Sequence, residues 1–431
     1  MRTEIRLYRR LTWLLLLLCC SGASSGWCAT PQAAMQGAGQ NPNLEAARLR
    51  LTEARKKQPP VAAVANYLAT ADLAGRLGGT LSGAEANEAR LIYNSACQEV
   101  AVLLRSSAEL WNRTETIVSP NGTYRLRFNR GSHNDGKWDP GYFESVRTPT
   151  QVHEKIAHQE ARINDWGGVL VGVYRPADPR KYFLPRVGVA CAVTAILDFS
   201  SSGTAAAGTR EVTLSLYDPT RRSEVRLAGI QHPLAADFAA PLAYYPEPKF
   251  LGLMSMMHAQ NYEQRAGLYM LEPYDPDRIP VIFVHGLMSI PQMWVPTISA
   301  VESDPVLHGR YQFWVFAYPT GDPIALSALK LRESLEQVYK LYPKTTDMVL
   351  ISHSMGGLLS QMQAVTTGRV LWNDVFQGDA DRLYAAVPAN NLMKRALIFE
   401  ANPRIQRIVF ICVPHRGADL AINWLVQLAS D

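Results

Sequence analysis

The sequence predicts an α/β protein: a mostly parallel sheet with crossover helices in its last part, preceded by a helical segment and a β-rich domain. Three observations predict it. From Asn43 to about Trp111, apolar residues recur at three-to-four spacing, the helical period. Between Thr123 and Tyr245 the rhythm changes to short, near-alternating runs separated by Gly, Pro and Asp, the mark of antiparallel strands. From about Tyr274, strand-like and helix-like runs alternate, which is the order a parallel sheet with crossover helices demands. The 431 residues give length for two to three domains. The boundaries read as a leader at 1–23, a flexible linker at 24–42, a helical region at 43–115, a β-rich domain at 120–250 and the α/β region at 273–431.

The leader carries Arg2, Arg6, Arg9 and Arg10 against Glu4, then an apolar stretch from Leu11 to Cys20, then small residues. That order is the pattern of an export signal. The apolar stretch is shorter than the ~20 residues of a comfortable membrane span. Cleavage after Ala23 satisfies the small-x-small rule with Ser21. Leu17-Leu18-Cys19-Cys20 also resembles the bacterial lipid-attachment pattern, with Cys19 where a smaller residue is usual, so a lipidated Cys20 touching a membrane is the second outcome. Either outcome places the protein in the periplasm or cell envelope.

Composition excludes other classes. Apolar residues make up 47% and charged residues 19%, which suits a folded chain and not a disordered one. The net charge of +5 owes much to the leader, and no basic stripe is interleaved with aromatics, so nucleic acid is not an expected partner. Cys97, Cys191 and Cys412 stand far apart with no CxxC pairing; they are expected to be buried free thiols, and no metal or cofactor is implied. His133, His153, His158 and His232 are scattered and are read as ordinary histidines.

The helical region divides into NLEAARLRLTEARKK, VAAVANYLATADLAGRL after Pro59-Pro60, and ANEARLIYNSACQEVAVLLRS, which suggests antiparallel hairpins. In the β-rich part YRLRF, GGVLVGVYRP, VGVACAVTAILDF, EVTLSLYDP and SEVRLAGI read as strands of an antiparallel sheet or small sandwich. In the α/β part IPVIFVHG, YQFWVFAYP, DMVLISHS and IQRIVFICVP read as strands, IALSALKLRESLEQVYKLY as an amphipathic helix and MGGLLSQMQAV as the start of another.

The chemistry lies in SHSMGG. Ser354 sits where a strand ends and a helix begins, with His353 before it and Gly356 and Gly357 behind. A sharp turn there lifts the hydroxyl above the sheet edge and sets a helix N-terminus beneath developing negative charge. The usual pattern is G-x-S-x-G; here Ser352 fills the first position. A second motif, VIFVHGLMSIPQMW, is an apolar strand ending in His285-Gly286. Acyl transfer needs two N–H donors for the oxyanion, and those of Leu287 and Met355 stand in the right places along the chain.

From about Pro273 onward, VHGLM, SHSMGG and VPHRGAD resemble the α/β-hydrolase superfamily of the lipase and esterase kind, the last segment being similar to a T-P-H-R-G-S motif. The resemblance covers little over a third of the chain. It implies a Ser354 nucleophile, an oxyanion hole from Leu287 and Met355, no cofactor, and an ester or acyl-lipid substrate. His285 and His353 flank the motifs and are not the expected base. The expected order is serine, acid, histidine. After Ser354 the single histidine is His415, which arrives before the position of the family's base and is read as a supporting residue. Asp374, Asp379, Asp381, Glu400, Asp419 and Asp431 offer no acid at a convincing strand end. The triad acid and histidine are therefore not found, and the region reads as the N-terminal part of a hydrolase domain. The apolar Leu287, Met288, Ile290, Met293 and Trp294 suit an acyl pocket. The competing expectations are a non-catalytic envelope binding or assembly protein, and an amidase or thioesterase using the same triad.

Overall fold

The computed structural model describes residues 41–56, 58–107, 109–132, 135–152, 161–199, 208–245, 266–345 and 347–417. The leader at 1–23, most of the linker at 24–42, and His133, His153, His158, Asp419 and Asp431 lie outside the described residues. The protein is a mixed α/β structure built on two principal sheets, one of five strands and one of seven.

Three helices come first: α1 (Pro42–Ala54), α2 (Pro60–Gly78) and α3 (Gly83–Ser106). Asn41 caps α1, its side chain accepting from the Asn43 N–H, and Pro42 supplies a first-turn residue that has no N–H to leave unpaired. Pro60 opens α2 in the same way, and Gly78-Gly79 closes it. Gly78 is also a point of close approach, since a β-carbon there would meet the Trp166 ring at 2.5 Å. The helices do not stand apart from the β-rich part. The buried Tyr93 hydroxyl donates to the Leu197 carbonyl at 2.9 Å and accepts from its N–H at 3.2 Å, pinning α3 to a strand of the first sheet. Asp72 of α2, 4% exposed, pairs with Arg210 of another strand.

The first sheet contains β1 (Glu115–Ser119), β2 (Gly122–Phe128), β3 (Lys137–Trp138), β4 (Ser145–Arg147), β5 (Gly168–Tyr174), β6 (Val189–Asp198) and β7 (Thr209–Tyr217), in the order β1-β2-β7-β6-β5-β4 with β3 also on β7. It departs from the expected antiparallel sheet at one seam: β2 and β7 run parallel, Thr123 facing Thr209 and Phe128 facing Leu214. Short-range periodicity carries no information about that pairing, because both strands alternate equally well in either direction.

The second sheet contains β8 (Gly267–Met270), β9 (Ile279–Val284), β10 (Tyr311–Ala317), β11 (Met348–His353) and β12 (Ile405–Ile411), in the order β8-β10-β9-β11-β12. The last four are mutually parallel and β8 is antiparallel to β10. Crossover segments join them: α4 (Val295–Glu302) and α5 (Pro305–Arg310) after β9, α6 (Ile324–Leu341) after β10, and α7 (Met355–Gln361), α8 (Val370–Phe376), α9 (Ala380–Ala386) and α10 (Leu392–Leu397) between β11 and β12. Strands β9, β10 and β11 are nearly continuous apolar runs because helices cover both faces of the sheet. Trp314, Phe316, Ile282, Val284 and Leu350 on one face join the core that also contains the α2 and α3 side chains, while Phe283, Phe313 and Trp294 form a second cluster on the other. Each such buried aromatic contributes about 2–3 kcal/mol by removal from water. Two of the three cysteines expected to be buried thiols, Cys97 and Cys191, are buried; Cys412 is exposed, because it lies just past the edge strand β12.

Candidate functional site

Ser354 is the residue between β11 and α7, with φ 50° and ψ −124°. A side chain other than glycine in that region is strained, at a cost of about 1–3 kcal/mol that the surroundings must hold in place. Three contacts hold it. The Ser354 N–H donates to the Ile411 carbonyl of β12 at 2.9 Å, and its own carbonyl accepts from the Gly357 N–H at 3.0 Å. On the third side, the turn after β9 presses on it: a β-carbon on Gly286 would lie 3.0 Å from the Ser354 β-carbon and 2.8 Å from His353 Nδ1.

The glycines of the motif are required by the same crowding. A β-carbon on Gly356 would stand 2.3 Å from the His285 carbonyl oxygen and 2.6 Å from that of Val284, and one on Gly357 would stand 2.1 Å from Val413 Cγ2. Ser352, standing where a glycine is usual, is fully buried, and its hydroxyl is hydrogen-bonded to that of Ser360 in α7. The substitution is accommodated because the extra oxygen finds a partner one helix turn beyond the glycines.

His285 is 1% exposed and serves the turn as a structural base plate. Its Nδ1 lies 3.0 Å from the Gly286 carbonyl and its Nε2 accepts from the Tyr318 N–H at 3.4 Å, so the proton sits on Nδ1 in a neutral ring. Burial brings its pKa down to about 4, the Gly286 carbonyl opposing that shift. Tyr318 stacks on the ring at 4.4 Å and its hydroxyl donates to the His285 carbonyl at 2.7 Å. Sequence reasoning missed Tyr318. The available signal was the FAYP ending of β10, which lies beside β9 and so brings Tyr318 to the same sheet end as His285.

The structure thus brings Ser354, Met355, Gly286 and Leu287 to one place. Met355 begins α7, so its N–H belongs to the first turn, where no helix carbonyl can accept it. Met288 also takes a positive φ, 55°, which turns the chain sharply just after Leu287. Leu287 and Met288 are exposed, whereas Trp294 is 3% exposed and packs on Phe283, so the apolar run after His285 divides between surface and core.

Other predicted residues lie apart from the hydroxyl. Among the described residues no side chain hydrogen-bonds Ser354 Oγ. His353 points its Nδ1 into a buried spot without a partner, and burial lowers its pKa. His415 is exposed; its Nδ1 meets Gln361 Oε1 at 2.9 Å and its ring packs on the edge of Phe410. Asp379 and Asp381 pair with Arg382 and Arg369, and Glu400 accepts from the Thr366 hydroxyl at 2.8 Å.

Two solved structures are similar to part of this chain. The mature form of the Bacillus licheniformis lipase BlEst2 matches at 17% identity over 38% of this chain and 56% of that one, with a TM-score of 0.23. Its propeptide form matches at 18% identity over 37% of this chain and 29% of that one, with a TM-score of 0.22. This chain thus spans little over half of the mature lipase. No family model matches, and no curated protein does.

Proposed function

We propose that the protein is an exported serine hydrolase of the α/β-hydrolase kind, cleaving carboxylic esters, with acyl lipids as the favoured substrate class. The reading is carried by Ser354 at φ 50° on a strand-to-helix turn that Gly286, Gly357 and Ile411 hold in place. Gln377 takes the same backbone region, so what sets Ser354 apart is its place between a parallel strand and a helix N-terminus, beside the turn after β9. In this reading Ser354 Oγ attacks the ester carbonyl, the Leu287 and Met355 N–H groups receive the oxyanion, and water later cleaves the acyl-enzyme. The second sheet supports it: the serine follows β11, which lies between β9 and β12, and the oxyanion turn follows β9 alongside. The exposed Leu287 and Met288 would meet the acyl chain. The acid and base are assigned to no residue, because among the described residues His415 is held by Gln361, Asp379 and Asp381 are paired with arginines, and Glu400 is bonded to Thr366. An envelope location follows from the leader.

The test is labelling with a fluorophosphonate probe, followed by hydrolysis of p-nitrophenyl butyrate and p-nitrophenyl palmitate. Labelling that maps to Ser354 and disappears in Ser354→Ala supports the reading. A protein that neither labels nor hydrolyses either ester is the non-catalytic binding module instead.

A further inference from the structure

A cavity of about 450 Å³ lies between the two principal sheets, and Ser354 is not among the residues that line it. Its walls include Trp138 of β3, Asp218 just after β7, Tyr274 and Arg278 ahead of β9, Glu302 at the end of α4 and His308 in α5. Neither Ser354, Leu287 nor Met355 touches it. Its volume falls in the range of small-molecule sites.

The charges in this cavity do not balance. The Arg278 guanidinium, 7% exposed, is committed to the Glu272 carboxylate through both terminal nitrogens and to the Tyr311 carbonyl at 2.9 Å through Nε. Arg221 reaches Asp275 at 3.4 Å and Asp218 at 3.9 Å. Lys137 turns its ammonium toward the Tyr217 ring, 5.4 Å from the centroid. Asp218 accepts from the Thr220 N–H at 3.0 Å and from its hydroxyl. Glu302 is left over: among the described residues no hydrogen bond or ion pair reaches its carboxyl. Opposite it, His308 is 5% exposed, and its Nδ1 has no hydrogen-bond partner among the described residues.

Glu302 is half-buried, and a carboxyl on a cavity wall with no cationic partner keeps its charge only at a cost in desolvation. Burial, reinforced by Glu272 and Asp218 and opposed by Arg278, pushes the Glu302 carboxyl well above its ordinary range. Burial likewise pushes Asp218 up to about 6 and His308 down to about 4. The cavity wall carries five carboxyl side chains against three cationic ones. A ligand anion would be repelled by that excess of carboxyls. A ligand cation would be paired by Glu302 and could lie beside Trp138 and Tyr274, each of which already stacks one ring face, on Tyr142 and Tyr342 respectively.

We propose that this cavity binds a small organic cation, an ammonium carried on an apolar or aromatic body, with Glu302 as its counter-charge and Trp138 and Tyr274 as its walls. The site is separate from Ser354 and stands whether or not that serine is catalytic.

Isothermal titration of the full chain with 2-phenylethylammonium, 2-phenylethanol and phenylacetate decides it. The three probes share one ring and differ in charge. The ammonium is expected to bind roughly tenfold or more tightly than the alcohol, the worth of one well-placed charge pair. Phenylacetate should bind more weakly than either. Glu302→Gln should bring ammonium and alcohol within about threefold of each other, and Ser354→Ala should leave the tenfold preference intact. Thermal unfolding of Glu302→Gln checks that the variant is folded, and Glu302→Met, which removes the carboxyl altogether, provides a second variant with the same expected loss of preference. Equal binding of ammonium and alcohol, absence of ammonium binding, or full preference retained in both Glu302 variants overturns the proposal.

Discussion

Gly356 and the carbonyl oxygen of His285 lie so close that a β-carbon on the glycine would stand 2.3 Å from that oxygen. The two residues belong to different strand ends, one after β11 and one after β9, and their contact locks two turns into one unit. Backbone carbonyls at a sheet edge cannot swing aside as a flexible side chain can. Gly356→Ala is therefore expected to destabilise the fold by about 3 kcal/mol, the upper end of overpacking costs, and to abolish labelling of Ser354. Gly357→Ala meets only the Val413 side chain and should cost less. Urea unfolding of the two variants checks the order; equal losses would mean that the turn after β9 yields more readily than its geometry suggests.

Ser354 offers a test of strain that needs no substrate. Ser354→Gly removes the β-carbon at φ 50° and is expected to raise stability by about 1 kcal/mol. Ser354→Ala keeps the β-carbon and the strain, so its gain should be close to zero. Denaturant midpoints for the three proteins read the difference directly. A glycine variant no more stable than the alanine variant would show that the turn is not strained in solution.

The buried histidine predicts a pH response with a definite sign. Folding holds His285 neutral with a pKa near 4, against about 6.5 in an unfolded chain. Between those values the unfolded chain binds the proton and the folded one does not, so this contribution to stability is full above pH 6.5 and is lost as pH falls toward 4. The loss amounts to about 3 kcal/mol by pH 4. His308, also lowered to about 4, acts in the same direction, whereas Asp218, raised to about 6, acts in the opposite one. His285→Gln should therefore show a shallower fall in unfolding free energy between pH 6.5 and 4.5 than the parent. Parallel curves would refute the buried neutral ring.

Tyr318→Phe removes one hydroxyl, which donates to the His285 carbonyl at 2.7 Å, while leaving the stacked ring in place. Loss of that bond is expected to cost about 1–2 kcal/mol, since a buried carbonyl loses a donor. Thermal unfolding measures it. If the His285 carbonyl helps to set the turn that carries Leu287, the variant should also lose ester turnover without loss of substrate affinity.

Arg278→Met leaves Glu272 facing the interior without its counter-charge. Breaking such a pair from one side is expected to destabilise by about 2 kcal/mol, less than for a fully buried pair because the Glu272 side chain is 26% exposed. The double variant Arg278→Met, Glu272→Met should recover most of it, because the penalty comes from the stranded charge and not from the missing attraction. Urea midpoints of the single and double variants decide; a double variant as unstable as the single would mean that the arginine acts chiefly through the Tyr311 carbonyl.

The sequence and the structure agree where one short segment contains its own reason. IPVIFV and MVLISH are continuous apolar runs that can lie only in a covered sheet, and SHSMGG has the small residues that a crowded turn needs. The antiparallel pairing of β8, the parallel seam between β2 and β7, and the contact of Tyr318 with His285 were not legible, because each joins residues distant along the chain. Helices α8 to α10 were also missed: they have six or seven residues each, too few turns for a periodic signal to emerge. Glu302 was invisible for another reason. Nothing in AVESDP says that its carboxyl faces a cavity, since that depends on where Asp218, Arg278 and His308 arrive from three other places in the chain.

The Ser354 N–H reaches the Ile411 carbonyl, on the last strand described, past four intervening helices. A chain emerging from the ribosome can pair β9 with β11 early, but the serine's turn lacks one of its three holding contacts until β12 has been made and docked. The geometry of that turn is thus completed late in synthesis, when the last described strand joins the sheet.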